Sequence, residues 1–334
     1  MDMRHEASVP PVDLTRPKGL GKVPVPDLIR ELIARVDGAP LDRELLRLLH
    51  ELSNRIEPAL RHPDNRFAPE HLQESLGTFW WWQQDVCPAS VEGENVLELG
   101  AGAENPLALV TAMVLMGAAE GHALELTPPI SDAEQARALS RLVCWLTLRR
   151  EVFPKLDLAD QRATIAANAK AFDVDRLAAG ELLLPENVHL LVAKAERTGL
   201  ADRSIHRVMS SSFLEHAEDP TAVVREIARV TASGGVSIHN VDVADHGTYW
   251  GEVESPVAFL LEAPGQAMVR GANRMRIHEH VRLFESHGFT LLKRNDYAHH
   301  EWNKRELRRR VPPYSTMQLD ELEPIRSVLV FRRD

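Results

Sequence analysis

The chain reads as an α/β protein built on a doubly wound, mainly parallel sheet. Three observations predict it. From residue 94 to residue 331, short apolar runs alternate with longer stretches of helical periodicity, the pattern of strands joined by helical crossovers. The run Asn95-Val-Leu-Glu-Leu-Gly-Ala-Gly-Ala-Glu-Asn-Pro106 passes from a strand through a glycine turn to a helix start, the ligand-binding corner of such sheets. The last two apolar runs lack a helical crossover of the usual pattern, which predicts an antiparallel ending.

Residues 1 to 24 are rich in Pro, Gly and charge and read as a loose arm. Pro26 opens a helix carrying Ile29, Leu32, Ile33 and Val36 on one face, and Asp37-Gly38-Ala39-Pro40 stops it. A second helix places Leu41, Leu45, Leu48, Leu52 and Ile56 on one stripe before Pro58. Residues 1–90 are thus an N-terminal arm and helical cap, too small to fold alone, that should pack on a core at 91–334. Trp80, Trp81 and Trp82 cannot share one face of a helix or strand. They read as packing between cap and core, with an aromatic wall for a ligand as the alternative.

In the core, residues 94–99 form the first strand. The helix from Pro106 is apolar on nearly all sides and should be buried against the sheet, with Asn105 as its N-cap. Residues 121–126 form the second strand. Glu125 stands near its end, about 20 residues past the glycine turn, where an acid can accept hydrogen bonds from ribose hydroxyls. Ser131-Asp-Ala-Glu134 is a capping box that opens a helix reaching Arg149, with more helical sequence around 161–172 and 175–179. The segment 131–184 is longer than a normal crossover and reads as a helical insertion able to roof a site. Residues 188–193 and 205–210 are the third and fourth strands. Asp219 caps a helix starting at Pro220, which Gly234-Gly235 ends, and 236–241 is the fifth strand. A long connection follows, with a short helix at 255–262. Ile277, Val281 and Phe284 mark another helix, closed by Gly288, and 289–293 and 327–331 are the final strands.

Composition narrows the function. With 39 basic and 49 acidic side chains the net charge is −10, which argues against a general nucleic-acid binder. The basic run Lys304-Arg-Glu-Leu-Arg-Arg-Arg310 reads as a solvated surface segment. Cys87 and Cys144 have no metal or redox spacing and suit a reducing compartment. The polar, proline-containing start is unlike a signal peptide, and no apolar run approaches ~18 residues, so a cytoplasmic protein is expected.

Several motifs then line up in order. They are Glu98-x-Gly100-x-Gly102, Glu125 after the second strand, Ala195-Glu196 after the third, and Ser210-Ser-Ser-Phe-Leu-Glu-His216 after the fourth. The stretch Val208-Met-Ser-Ser-Ser-Phe-Leu-Glu-His-Ala-Glu-Asp-Pro220, continuing to Arg229-Val-Thr-Ala-Ser-Gly-Gly235, is similar to the S-x-L-E-H … R-V-L-x-P-G-G run of small-molecule and lipid-type methyltransferases. Over residues 94–292 the chain resembles the class I S-adenosylmethionine (SAM) methyltransferases. The resemblance implies a Rossmann-like sheet of seven strands, the last antiparallel, and SAM as cofactor. It implies that Gly100, Ala101 and Gly102 approach the methionine and ribose, and that Glu98 orients this loop or reaches the SAM amine. Glu125 would hold the ribose hydroxyls, Ala195 and Glu196 would border adenine, and Ser210 and Ser211 would line the floor beneath the sulfonium. The chain departs from the pattern at Glu104, Lys194 and His206, which bears on the adenine contacts most.

Methyl transfer from a sulfonium is an in-line displacement, so the protein chiefly aligns the acceptor and excludes water. A base is needed only where the acceptor must lose a proton during attack. His239-Asn-Val-Asp242-Val-Ala-Asp245-His246 supplies candidates: His246 as base with Asp242 or Asp245 orienting it, and His216 as a second base. Any of these histidines can equally be a hydrogen-bonded structural residue. His239, Asp242, Asp245 and His246 are also ligand types, yet their spacing does not specify chelation, and acid–base chemistry ranks above a metal, with no metal expected. Asn273-Arg274-Met-Arg276 fits either a substrate carboxylate or plain polarity at a helix start. The expected function is SAM-dependent methylation of an O or N atom of a small molecule, a specialised metabolite being the expected kind, with no nucleic-acid or membrane partner. Three alternatives are a non-catalytic SAM-binding protein, a nicotinamide-dependent oxidoreductase, and a protein or RNA methyltransferase. Asn105 in place of the third glycine of the dinucleotide fingerprint counts against the oxidoreductase.

Overall fold

The computed structural model describes residues 90–102, 105–148, 162–262 and 268–334. The expected arm and cap, with Trp80 to Trp82, lie outside the described residues. The strands are β1 (Asn95–Leu99), β2 (Glu120–Glu125), β3 (Val188–Val192), β4 (Ile205–Ser211), β5 (Thr231–Asp242), a small hairpin β6 (Met268–Val269) and β7 (Ala272–Asn273), then β8 (Phe289–His299) and β9 (Pro324–Arg333). Seven of them form one sheet in the order β3-β2-β1-β4-β5-β9-β8. The first five are parallel, and β9 lies antiparallel between β5 and β8. This is the doubly wound α/β fold with the reversed ending read from the sequence. The chain winds outward from β1 to β3 and returns to lay β4 against β1. Such a reversal opens a crevice at the carboxyl ends of the strands.

Two helical layers cover the sheet. Strand alternation sends Val96 to one layer and Leu97 and Leu99 to the other. On the first side, α1 (Ala108–Leu115) is buried along its whole length. A helix apolar all round needs a cover as well as a floor. The cover comes from α2 (Asp132–Leu148), through Leu139, Leu142, Val143 and Leu146, with α3 (Arg162–Asn168) and α4 (Val174–Ala178). The described part of the 131–184 segment is therefore a layer over α1, where a roof over the crevice was expected. On the other side, α5 (Pro220–Val230) and α6 (Ile277–Ser286) bury Val223, Val224, Ile227, Ile277 and Phe284. Asp219 caps α5 as expected, accepting from the Ala222 N–H at 2.9 Å.

Three local expectations change. Helix α1 begins at Ala108 and not at Pro106, because Asn105 is engaged elsewhere. Its Oδ1 accepts from Gln135 Nε2 at 2.7 Å, while the Leu107 N–H donates to Gln135 Oε1 at 3.4 Å. Gly234 and Gly235 do not end a helix: α5 stops at Val230, and the glycines sit inside β5. There the pairing with β4 jumps from Ile205↔Thr231 to Arg207↔Val236, a bulge that the positive φ of Gly234 allows. Arg276, finally, is not open to a substrate carboxylate. It is fully buried and donates to the carbonyls of Val243 (2.7 Å), Leu322 (3.1 Å) and Pro324 (3.0 Å), and burial pushes its guanidinium down to about 10. Asn273 is likewise spent, donating to Leu214 O at 2.8 Å and Ala217 O at 3.2 Å. Together they fasten the exit of β5 to β9 and to the turn after β4. Among the described residues no helix is long and apolar enough to cross a membrane.

Candidate functional site

A cleft of about 390 Å³ opens at the carboxyl ends of β1, β2, β3 and β4, lined among others by Gly100, Glu125, Lys194, Glu196, Phe213 and His216. The glycine turn is built by backbone geometry. Gly100 and Gly102 hold φ of 65° and 81°, left-handed values that disfavour a side chain. This conformation aims the Gly100 and Ala101 N–H groups at Leu124 O, at 3.0 and 3.1 Å. The Gly102 N–H donates to Glu125 Oε2 at 2.8 Å, and the Leu126 N–H donates to Oε1 at 2.8 Å. Loop and acid therefore position each other. A carboxylate has about four lone-pair sites, so Glu125 keeps capacity for a ligand hydroxyl pair.

The two glycines differ in what surrounds them. A Cβ on Gly102 would meet nothing within 4 Å, whereas a Cβ on Gly100 would lie 2.5 Å from Phe213 Cδ2. The space expected for close approach of a ligand at Gly100 is thus taken by the Phe213 ring. Ala195 and Glu196 border the cleft beside Lys194. Glu98 shares the β1 face of Val96 and is not among the residues lining the cleft. Burial, and then the neighbouring Glu125 charge, push its carboxyl up to about 8.

Other candidates fall away from the cleft. Ser210 is fully buried, with Oγ 2.7 Å from His239 Nδ1, so it forms no floor under a ligand. Ser211 is exposed and accepts from Asn240 Nδ2 at 3.3 Å; Ser212 and Phe213 line the cleft instead. His206 sits at the opposite end of the sheet, where Nδ1 accepts from the Asn95 N–H at 3.0 Å. This departure from the family pattern therefore does not touch the cleft. His239 is a core residue: Ser210 and Ser237 flank its ring nitrogens, and burial, with His280 beside it, holds it down to about 3.

The expected pairing of His246 with a carboxylate is not formed. Asp245 is fully buried and accepts from the N–H groups of Gly247 (3.0 Å) and Phe259 (2.8 Å) while ion-pairing with Arg270. Asp242 accepts from the Ala244 N–H at 3.1 Å, the Tyr249 hydroxyl at 2.5 Å and Arg326 Nε at 2.9 Å. These are structural anchors. His246 instead hydrogen-bonds the Asp242 backbone, and its Nε2 is buried without a partner. Burial lowers its basicity first and the adjacent His216 adds to this, against the opposing charges of Asp242 and Asp245.

His216 stands beside it, ring centroids 4.8 Å apart. Its Nδ1 lies 2.7 Å from Gly271 O. A carbonyl only accepts, so Nδ1 carries the proton and Nε2 presents a lone pair. Sequence reasoning passed over a third member, Glu215, although it stands within the quoted Leu-Glu-His run. Glu215 is fully buried. Its Oε1 accepts from the Asp242 N–H at 3.2 Å, and its Oε2 has no partner. Burial, with the Asp242 charge adding to it, pushes this carboxyl up to about 8.

A family model described as a methyltransferase domain matches residues 156–239, which take in β3, β4 and most of β5 and begin after the glycine turn. No curated protein matches the sequence. Among solved structures the chain is similar to geranyl diphosphate C-methyltransferase from Streptomyces coelicolor A3(2), at 10% identity over 79% of this chain and 80% of that one, TM-score 0.45. It is similar to an S-adenosylmethionine dependent methyltransferase from Mesorhizobium loti, at 12% identity over 80% and 98% of the two chains, TM-score 0.39. An arsenic (III) S-adenosylmethionine methyltransferase from Chlamydomonas reinhardtii shares 19% identity over 74% and 65%, TM-score 0.37.

Proposed function

We propose that this chain is a class I SAM-dependent methyltransferase, a reading that its match to a methyltransferase-domain model over residues 156–239 and its sheet order support, and that it methylates an O or N atom of a small molecule in the cytoplasm. One observation carries the reading. Gly100 and Glu125 line the cleft together with His216, which stands beside His246, whose Nε2 is buried without a partner. The turn and the acid suit a nucleoside, and the imidazoles suit an acceptor that must give up a proton. The proposed assignments follow. Glu125 takes the ribose hydroxyls, the backbone of Gly100, Ala101 and Gly102 flanks the methionine half, and Ala195 and Glu196 border adenine. His246, with His216, receives the acceptor proton. In this reading residues 1–90 act as a cap on the 91–334 core.

The test is a calorimetric titration with S-adenosylhomocysteine (SAH), with NAD as the comparison. Micromolar binding of SAH alone is the expected outcome, and binding of NAD alone would overturn the proposal. The same titration tests Glu98 through pH. In the free protein its carboxyl is neutral below about 8. A ligand ammonium beside it favours the carboxylate, so binding below that pH expels a proton. SAH affinity should therefore weaken as pH falls from 8, by up to about tenfold per unit, and level off above 8. Glu98→Gln should flatten the difference. Equal pH profiles for the two proteins would remove Glu98 from the amine site.

A further inference from the structure

We infer that Glu215, His216 and His246 form a binding site for one divalent transition-metal ion, zinc being the best fit, beside the cleft that His216 lines. Their ligand atoms lie within 4.8 Å of one another. Each residue is fixed by one atom, which leaves the other free. Glu215 is held through Oε1 by the Asp242 N–H, His216 through Nδ1 by Gly271 O, and His246 by the Asp242 backbone. The free atoms are Glu215 Oε2 and His246 Nε2, both buried without a partner, and His216 Nε2. Buried polar atoms without a partner are rare and costly, and two within one cluster call for a shared partner or cation.

The chemistry of the set narrows the choice. Two neutral imidazoles and one carboxylate are the ligands of catalytic zinc sites with an open fourth position. A metal-binding imidazole usually gives its other N–H to a backbone carbonyl, as His216 does here. Ligand atoms around tetrahedral zinc stand about 3.4 Å apart for bonds of about 2.1 Å, so the three groups need close by no more than about 1.4 Å. A hard, oxygen-seeking ion such as magnesium is disfavoured by the two nitrogens. The ion's part in catalysis rests on the acceptor reading above, with His216 and His246 then holding the ion in place of taking the proton themselves; its binding does not. At the open position it would take the acceptor hydroxyl and lower its pKa, so that the proton leaves to water. The oxygen pair would then form the O–C bond as the C–S pair returns to sulfur.

The experiment is a titration of the chelator-treated full chain with Co²⁺, followed by its visible d–d bands, with Zn²⁺ as competitor and SAH titrated in parallel. The expected result is saturation at one equivalent and displacement by Zn²⁺. His216→Ala should weaken cobalt binding at least about 100-fold, and Glu215→Gln likewise. His216 is exposed, so its variant tests the site even if Glu215→Gln fails to fold. A second cluster, Glu120, His122 and His189, lies at the far end of the sheet, and His189→Ala serves as control. Cobalt binding lost only in His189→Ala, or no binding to the wild-type chain, would overturn the inference. SAH binding without cobalt binding would leave the methyltransferase reading standing and remove the metal. Cobalt binding without SAH binding would do the reverse.

Discussion

His246→Ala should lower kcat by about 10²–10⁴ while leaving SAH affinity unchanged, a loss of about 3–5 kcal/mol of transition-state stabilisation. The size follows from what the ring offers. Burial lowers its basicity, its bond to the Asp242 backbone sets its orientation, and its Nε2 has no partner. Nothing in the glycine turn depends on it: Gly100, Ala101 and Gly102 are held by Leu124 and Glu125. Added imidazole should restore part of the lost turnover by occupying the vacated space, a rescue that a packing role would not show. His216→Ala should cost less as a proton acceptor, because its ring stands exposed. Full activity of His246→Ala in a single-turnover assay would end the base assignment.

That prediction names a residue found in the sequence and discards the partners proposed for it, and the difference is physical. His246, Asp242 and Asp245 are close in sequence, so a dyad was the economical reading. The donors that claim the two aspartates come from far along the chain: Arg270 lies 25 residues from Asp245, and Arg326 lies 84 from Asp242. Ser210 is the same case, removed from the cleft by His239, 29 residues on. Features set by short-range rules were legible. The strand and glycine turn of β1, Glu125 at the end of β2 and the Asp219-Pro220 helix start depend on neighbours in sequence, and all stand where the pattern puts them. The role of the 131–184 segment was not legible, because it depends on which outer face α1 leaves to be covered. Glu215 carried a faint signal, an acid beside a histidine in a motif run. Only the fold brings His246 to the same place.

Gly100→Val should weaken SAH binding at least about 100-fold, through two separable costs of ~1–2 kcal/mol or more each. The first is backbone strain. Gly100 holds a φ of 65°, and a β-branched residue there is a steric outlier. The second is a collision, since the new Cβ would lie 2.5 Å from Phe213 Cδ2 and 3.0 Å from its Cγ. Either is relieved by moving the loop, which pulls the Gly100 and Ala101 N–H groups from Leu124 O and frees the Gly102 N–H from Glu125. The ribose acceptor would then lose the backbone that orients it. Phe213→Ala in the same chain removes the Cδ2 and Cγ contacts, leaving Phe213 Cβ at 3.1 Å, and keeps the strain, so the double variant should recover affinity only in part. Gly102→Ala isolates the other half, because its Cβ meets nothing within 4 Å and carries the strain of a φ of 81° alone. It should cost about tenfold, the affinity equivalent of ~1.4 kcal/mol. Circular dichroism melts on each variant separate a displaced loop from an unfolded chain. Unchanged SAH affinity in a folded Gly100→Val protein would mean that the turn does not touch the ligand, and Glu125 would then need another reason for its place at the end of β2.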